Sequence, residues 1–285
     1  MNTADHELIK TDFGAFFVSP IYDPVIYYHL KEFGGQQKGD LQIILLLLEQ
    51  MENKVLYDIG AHIGTMSVPV ALHLREKGRV FAFEGSTDTF EVLKKNVEIN
   101  DLEAKIACRN AVVTNDTEER YSMSRSSSNR GRTQFKAFNG TIKPVSIDTL
   151  ENELLPPGLI KIDVEGMEPQ VIWGAEKCIQ THRPVIFFET NAGTNQLSGV
   201  WRFIKKLGYR FFANTGQRNA THPRIELSEL NPFWDGSNSY QDIFAIPREI
   251  KPRNMVYHTS WGSKSLKRGI RKLADKTLRR KVSFN

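Results

Sequence analysis

The residues best placed to do chemistry are acids and glycines at the ends of apolar runs. The first group lies in Val55-Leu-Tyr-Asp-Ile-Gly-Ala-His-Ile-Gly-Thr-Met-Ser67, which reads as a buried strand, a glycine-bearing turn and a helix start. Gly60 and Gly64 let the backbone turn tightly and a ligand approach with no Cβ in the way. The spacing Asp-x-Gly-x-x-x-Gly departs from the Gly-x-Gly-x-x-Gly dinucleotide fingerprint, whose helix N-terminus meets a pyrophosphate. Asp58 beside the turn would repel a pyrophosphate and favour a cation, such as the amino or sulfonium group of S-adenosylmethionine. Glu84 stands 24 residues beyond Gly60 at the end of the next apolar run, where its two oxygens could accept both hydroxyls of a ribose. Ala61, His62 and Gly85 belong to the same two turns. Asn110 or Ala111, after a third run, could lie beside an adenine, although Asn110 serves equally well as a turn residue. Together these features point to an adenosine-type cofactor; the plainer alternative is two ordinary strand-to-helix turns with exposed acids.

A second group of acids follows the fourth run: Asp163, Glu165 and Glu168, with Glu189 closing the fifth. In a doubly wound sheet the ligand crevice opens at the C-terminal strand ends near the switch point, so Asp163 should face the cofactor turn. Neighbouring carboxylates raise one another's pKa, which suits one of them to act as a base toward a hydroxyl. Asp163 is the first candidate for base or acceptor-positioning group, with Glu165 and Glu189 next. Glu168, just before Pro169, is better read as stabilising a helix N-terminus. His62 is a further candidate base, or simply a turn residue facing solvent. Asp163, Glu165 and Glu189 could also hold magnesium, but nothing in the sequence requires a metal and none is assigned. Zinc-protease, paired-cysteine, phosphate-loop and Gly-x-Ser-x-Gly motifs do not occur.

These residues need a sheet to bring them together. From residue 40 onward, β-branched and aromatic runs alternate with helical patterns, as in βαβ units. Strands are expected at Lys54–Asp58, Arg79–Glu84, Lys105–Arg109, Leu159–Asp163, Val185–Glu189, Tyr209–Ala213 and Ile243–Ile246. Helices are expected near Asp40–Met51, Thr65–Lys77, Asp88–Asn100, Glu168–Gln180 and Asn195–Leu207. The polar stretch Tyr121–Arg132 breaks the pattern and reads as a loop or small hairpin on the ligand side, either solvated or covering a substrate.

Residues 1–39 read as an N-terminal extension, 40–250 as the α/β domain and 251–285 as a basic tail. The net charge of +5 resides in that tail: residues 264–285 carry +8, leaving the remainder at about −3. Helical spacing of Leu266, Ile270, Leu273 and Thr277 or Leu278 makes an amphipathic helix plausible, packed on the domain or docked by residues 264–281 to an anionic membrane surface or a protein partner; the plain alternative is a disordered tail. Nucleic acid is a weaker expectation. Neither a secretory signal nor a membrane-length apolar run is visible, so the expected location is cytoplasmic, with peripheral membrane contact as an option. Cys108 and Cys178 read as packed thiols.

The sequence resembles the FkbM family of S-adenosylmethionine-dependent methyltransferases. The resemblance is carried by Tyr57-Asp-Ile-Gly-Ala-His-Ile-Gly64, Phe83-Glu84, Val145-Ser-Ile-Asp-Thr-Leu150, Ile160-Lys-Ile-Asp-Val-Glu-Gly-Met-Glu168, Gly174-Ala175 and Pro184-Val-Ile-Phe-Phe-Glu189. It implies a class I methyltransferase, Rossmann-like sheet of seven strands, six parallel and one antiparallel. It also implies transfer of a methyl group to a hydroxyl of a saccharide, glycan or small natural product. Two other functions remain open at this stage. One is a catalytically silent member of the fold acting through its basic tail. The other is a nicotinamide-dependent oxidoreductase, which the missing third glycine disfavours.

Overall fold

A computed structural model describes residues 5–126, 129–137, 140, 142–189, 197–216, 220–230, 242–253 and 255–258. In chain order the elements are β1 (Glu7–Thr11), β2 (Gly14–Val18), α1 (Pro24–Phe33), α2 (Lys38–Gln50), β3 (Val55–Ile59), α3 (Ser67–Leu74), β4 (Arg79–Glu84), α4 (Thr87–Glu98), β5 (Ile106–Asn110), β6 (Tyr121–Ser126) and β7 (Asn129–Ala137). They continue as β8 (Leu159–Ile162), α5 (Glu168–Trp173), α6 (Glu176–His182), β9 (Val185–Glu189), α7 (Leu197–Lys206), β10 (Tyr209–Asn214), β11 (Glu226–Glu229), β12 (Asp242–Pro247) and β13 (Val256–His258).

The main sheet has the order β13-β11-β10-β12-β9-β8-β3-β4-β5. Its central strands are apolar on both faces, as a parallel sheet covered by helices requires. Because side chains alternate across a strand, each run splits between two cores. Leu56, Leu159, Val185 and Phe187 pack on one face with α2, α3, α4 and the N-terminal hairpin. Tyr57, Ile160, Ile162, Ile186 and Phe188 pack on the other with α5, α6 and α7.

The sheet has nine strands where seven were expected. Strands β3, β4, β5, β8, β9 and β10 run one way, while β12, β11 and β13 run the other. The two added strands lie at one edge, and β11, Glu-Leu-Ser-Glu, is too short and polar to stand out by pattern. The single helix expected over Glu168–Gln180 is two. Gly174 interrupts it where a Cβ would lie 2.4 Å from the Thr114 carbonyl oxygen, so the break admits a neighbouring segment. Cys108 and Cys178 are free thiols in β5 and α6. No helix among the described residues is long and apolar enough to cross a membrane. The basic tail from residue 259 lies outside the described residues.

The N-terminal segment is fastened by two amides four residues apart, Asn96 on α4 and Asn100 in the turn that follows it. Asn96 accepts from the Phe17 N–H (2.6 Å) and donates to the carbonyl oxygens of Phe17 (3.2 Å) and Ile63 (2.8 Å). Asn100 accepts from the Ala15 N–H (2.8 Å) and donates to the Ala15 carbonyl (2.7 Å). The amides thus satisfy β2 much as a neighbouring strand would. Ile9, Phe16, Val18, Ile26 and Leu30 join the same core as α2 and α3.

Candidate functional site

The switch point of the sheet falls between β3 and β8, which lie side by side with β4 beyond one and β9 beyond the other. Ile59 pairs with Ile162, which sets Gly60 against Asp163. Gly60 has φ +77°, and a Cβ there would stand 1.8 Å from the Asp163 carbonyl oxygen. Glycine is therefore required on both conformational and steric grounds. The N–H groups of Gly60 and Ala61 both donate to the Phe83 carbonyl, at 3.0 and 2.9 Å, which holds the turn over the end of β4.

Above this turn lies a cavity of about 440 Å³, within the size range of small-molecule sites. Of the expected site residues, Gly60, Ala61, His62, Glu84, Gly85, Ala111, Asp163, Glu165 and Glu189 line it. Three non-glycine residues held in the left-handed backbone region, Gln37, His62 and Glu165, also line it. Strain of that kind persists where the surrounding structure imposes it, commonly at binding sites.

Glu84 is buried. Its Oε2 accepts the His62 N–H at 3.0 Å and its Oε1 the Ser86 N–H at 2.8 Å. Burial pushes its carboxyl up to about 7 against the opposing pull of the two N–H donors. Each oxygen retains acceptor capacity toward the cavity. Across from it, Phe135 of β7 packs on Gly85, where a Cβ would meet the ring at 2.6 Å. Thr133 and Phe135 both line the cavity, so the polar insertion forms a hairpin over the ligand side.

At the other end Asp163, Glu165 and Glu189 converge. Glu189 is pushed up to about 7 by burial first, then by the charges of Asp163, Glu165 and Glu168, and by a side-chain hydrogen bond with Asp163. Glu168, at the start of α5, is largely buried and accepts the Gly166 N–H at 3.2 Å. Its pKa is raised, chiefly by burial.

Three expected cofactor residues do not line the cavity. Asp58 lies beneath its floor, fully buried, taking a hydrogen bond from Ser67 Oγ (2.6 Å) and pairing with Lys161 Nζ (2.9 Å). It neutralises a lysine of the protein and does not face a ligand cation. Gly64 lies behind the turn, where a Cβ would meet Leu93 of α4 at 2.8 Å, so it serves helix packing. Asn110 donates to the Glu84 carbonyl oxygen (2.8 Å) and accepts from Thr87 Oγ1 (3.1 Å), the turn role, while the adjacent Ala111 lines the cavity. His62 lines the cavity, but both of its ring nitrogens are buried, and Nε2 is 3.4 Å from Asp23 Oδ1 of the N-terminal segment.

Two contributors were missed from sequence. Lys161 is buried, donates to the Gly60 carbonyl oxygen (2.8 Å), pairs with Asp58 and approaches Asp163 at 3.7 Å. Burial lowers its pKa, but attraction to Asp58 and Asp163 outweighs burial and leaves it raised. A lone cation inside the apolar run Leu159-Ile-Lys-Ile162, with an acid inside Val55–Ile59, was the available signal, since buried charges come in pairs. The second contributor is a wall from the N-terminal segment, formed by Asp23, Val25, Ile26, Gln36 and Gln37. Asn96, buried on α4, and Asn100, in the turn after it, are the side chains that hold this segment.

A curated relative, the hexuronic acid methyltransferase AglP of Haloferax volcanii, is 32% identical over 161 residues. The match takes in 55% of this chain and 65% of that protein, so the chain spans just under two thirds of the relative's length. Among solved structures, a methyltransferase FkbM from Methylobacillus flagellatus aligns at 17% identity and TM-score 0.43, covering 67% of this chain and 42% of the other. An O-methyltransferase from Bacillus cereus, solved in complex with SAH, aligns at 14% identity and TM-score 0.45, covering 79% and 91%. The family model for the methyltransferase FkbM domain matches residues 58–211, more than half of the sequence and the whole stretch from Asp58 through β9 to Phe211 of β10. The chain therefore belongs to the FkbM methyltransferase family.

Proposed function

We propose that this protein binds S-adenosylmethionine in the cavity at the β3–β8 switch point and transfers its methyl group to a hydroxyl oxygen of a saccharide or similar polyol. The observation that carries the reading is one cavity bounded by a glycine turn, a buried acid with spare acceptor capacity and a set of strand-end carboxylates. Family membership supports the donor, and the Haloferax volcanii relative, named for hexuronic acid methylation, supports a saccharide acceptor.

The residues fit such a donor. Gly60 and Gly85 line the cavity where a nucleoside would lie, each admitting a close protein neighbour that shapes it, and Glu84 can accept from two ribose hydroxyls. Ala111, Val112 and Phe135 supply apolar walls for a planar base. When bound, S-adenosylmethionine supplies an electrophilic methyl group on a sulfonium. The protein's part is to hold the acceptor oxygen in line with that carbon and to take up the hydroxyl proton. Asp163 and Glu189, which share a hydrogen bond, form the proton-accepting pair, with Glu165 beside them. Buried ring nitrogens make His62 a less suitable base, so its part is to position the turn through its N–H to Glu84.

Calorimetric titration with S-adenosylhomocysteine tests the donor site. Micromolar binding is expected to the native protein, weakened tenfold or more, about 1.4 kcal/mol, by Glu84→Gln. Because the Gln amide nitrogen cannot accept from the His62 or Ser86 N–H, the thermal stability of Glu84→Gln without ligand is measured alongside, so that lost ligand contact is told apart from collapse of the turn. An absence of binding heat together with an absence of thermal stabilisation at millimolar ligand removes the reading.

A further inference from the structure

The turn from Gly60 to Thr65 belongs to the family-matched region, yet it is tied at three points to residues 17–36, which lie outside that region. His62 Nε2 stands 3.4 Å from Asp23 Oδ1. The Ile63 carbonyl accepts from Asn96, whose side chain also exchanges hydrogen bonds with the Phe17 backbone. Thr65 Oγ1 donates to Gln36 Oε1 at 3.3 Å. Asp23 and Gln36 line the same cavity as His62 and Thr65.

Among these contacts the one from Asp23 leads furthest into the site. Asp23 occupies the N-cap position of α1, where an aspartate ordinarily accepts from N–H groups of the first helical turn, but its carboxylate makes no such bond. The side chain is instead fully buried beside the His62 ring. A buried carboxylate needs a group that compensates for lost water, and an imidazole N–H can do so. His62 is itself held in the left-handed backbone region, at φ +51°. A residue with a β-carbon stays there when its surroundings impose it. That backbone carries the N–H that donates to Glu84 Oε2 at 3.0 Å. Contact therefore runs from the Asp23 carboxylate to the His62 ring, and through the His62 backbone to Glu84, the acid assigned to the ribose.

We propose that Asp23 is a positioning residue for the donor site: by holding the His62 ring it fixes the N–H that orients Glu84, so a residue outside the family-matched region sets donor affinity. The proposal rests on the donor reading above. A double-mutant cycle on the full chain tests it, with S-adenosylhomocysteine as the probe. Asp23→Ala should weaken binding tenfold or more in calorimetry. His62→Asn keeps the backbone N–H and a residue that tolerates the left-handed region, but its side chain ends short of the Nε2 position. In that background Asp23→Ala should change affinity less than twofold. Amide hydrogen exchange of the ligand-free protein supplies a second readout. Asp23→Ala should speed exchange at the His62 N–H at least tenfold, while the Gly60 and Ala61 N–H groups, bonded to the Phe83 carbonyl, stay within threefold of native. Should Asp23→Ala fail to fold, Asp23→Asn carries both comparisons, with at least a threefold effect expected in each. Equal loss of affinity in the two backgrounds, or native exchange at His62, overturns the proposal and leaves the donor site standing. Failure of the native protein to bind S-adenosylhomocysteine overturns the donor reading and this proposal with it.

Discussion

The two ends of the cavity each hold a carboxyl raised to about 7, and they reach that value by different routes. Glu84 stands apart from other acids lining the cavity, with two backbone N–H groups clamping it and burial doing the raising. Glu189 is raised by burial together with Asp163, Glu165 and Glu168 around it. The first arrangement suits a fixed acceptor of ligand hydroxyls; the second suits a site that takes up and releases a proton. Gly60 and Lys161 sit where the two ends meet, and changes there should damage both.

The largest effect is expected from Gly60→Ala. A methyl group at this left-handed position collides with the Asp163 carbonyl, so S-adenosylhomocysteine binding should fall by more than 100-fold in calorimetry. Retained micromolar binding would mean that the close approach of β3 and β8 is unimportant. Lys161→Met comes next. Removing one partner of a buried ion pair typically costs about 3–5 kcal/mol, so chemical denaturation should show a loss of that order. A loss under about 1 kcal/mol would place Asp58 in contact with water.

Acid titration separates the two carboxyls. A raised native pKa means that the fold favours the protonated form. Glu84 therefore contributes stability that is fully present below about 4.5 and is lost as pH rises through about 7, roughly 3 kcal/mol in all. Glu84→Gln should flatten native stability between pH 5 and 8, and equal slopes in the two proteins would show that Glu84 titrates normally. Ligand affinity should run the opposite way, weakening up to tenfold per unit as pH falls below 7, because only the ionised acid accepts from both ribose hydroxyls. Asp163→Asn should then move the pH dependence of turnover to lower pH by taking a like charge from Glu189, while leaving that of S-adenosylhomocysteine binding in place. If both profiles move together, the two ends are not independent. The smallest effect is expected at Asn110→Ala, which should change cofactor affinity less than threefold because the side chain only braces the β4–α4 turn.

The central sheet and its two acidic turns were legible in sequence because local rules govern them. Continuous apolar runs mark buried parallel strands, and glycine followed by a strand-end acid marks a ligand crevice. Asp58 lies outside the cavity lining because a motif shows that an acid is present but not which way it faces; its partner, Lys161, is remote in sequence. The wall from Asp23 to Gln37 was not legible as part of the site, since its placement depends on Asn96 and Asn100, more than 55 residues away. Edge strands β11 and β13 escaped for a related reason: their pairing partner, not their composition, makes them strands.

Asn96 also carries a lesson for engineering. One side chain grips both β2 of the N-terminal segment and the Ile63 carbonyl within the glycine turn. A graft that imports only residues 7–37 from a homologue would meet a foreign socket, so α4 must travel with it. The transplantable unit for reshaping the cavity is therefore a discontinuous cassette: the hairpin, the wall and the helix that holds them.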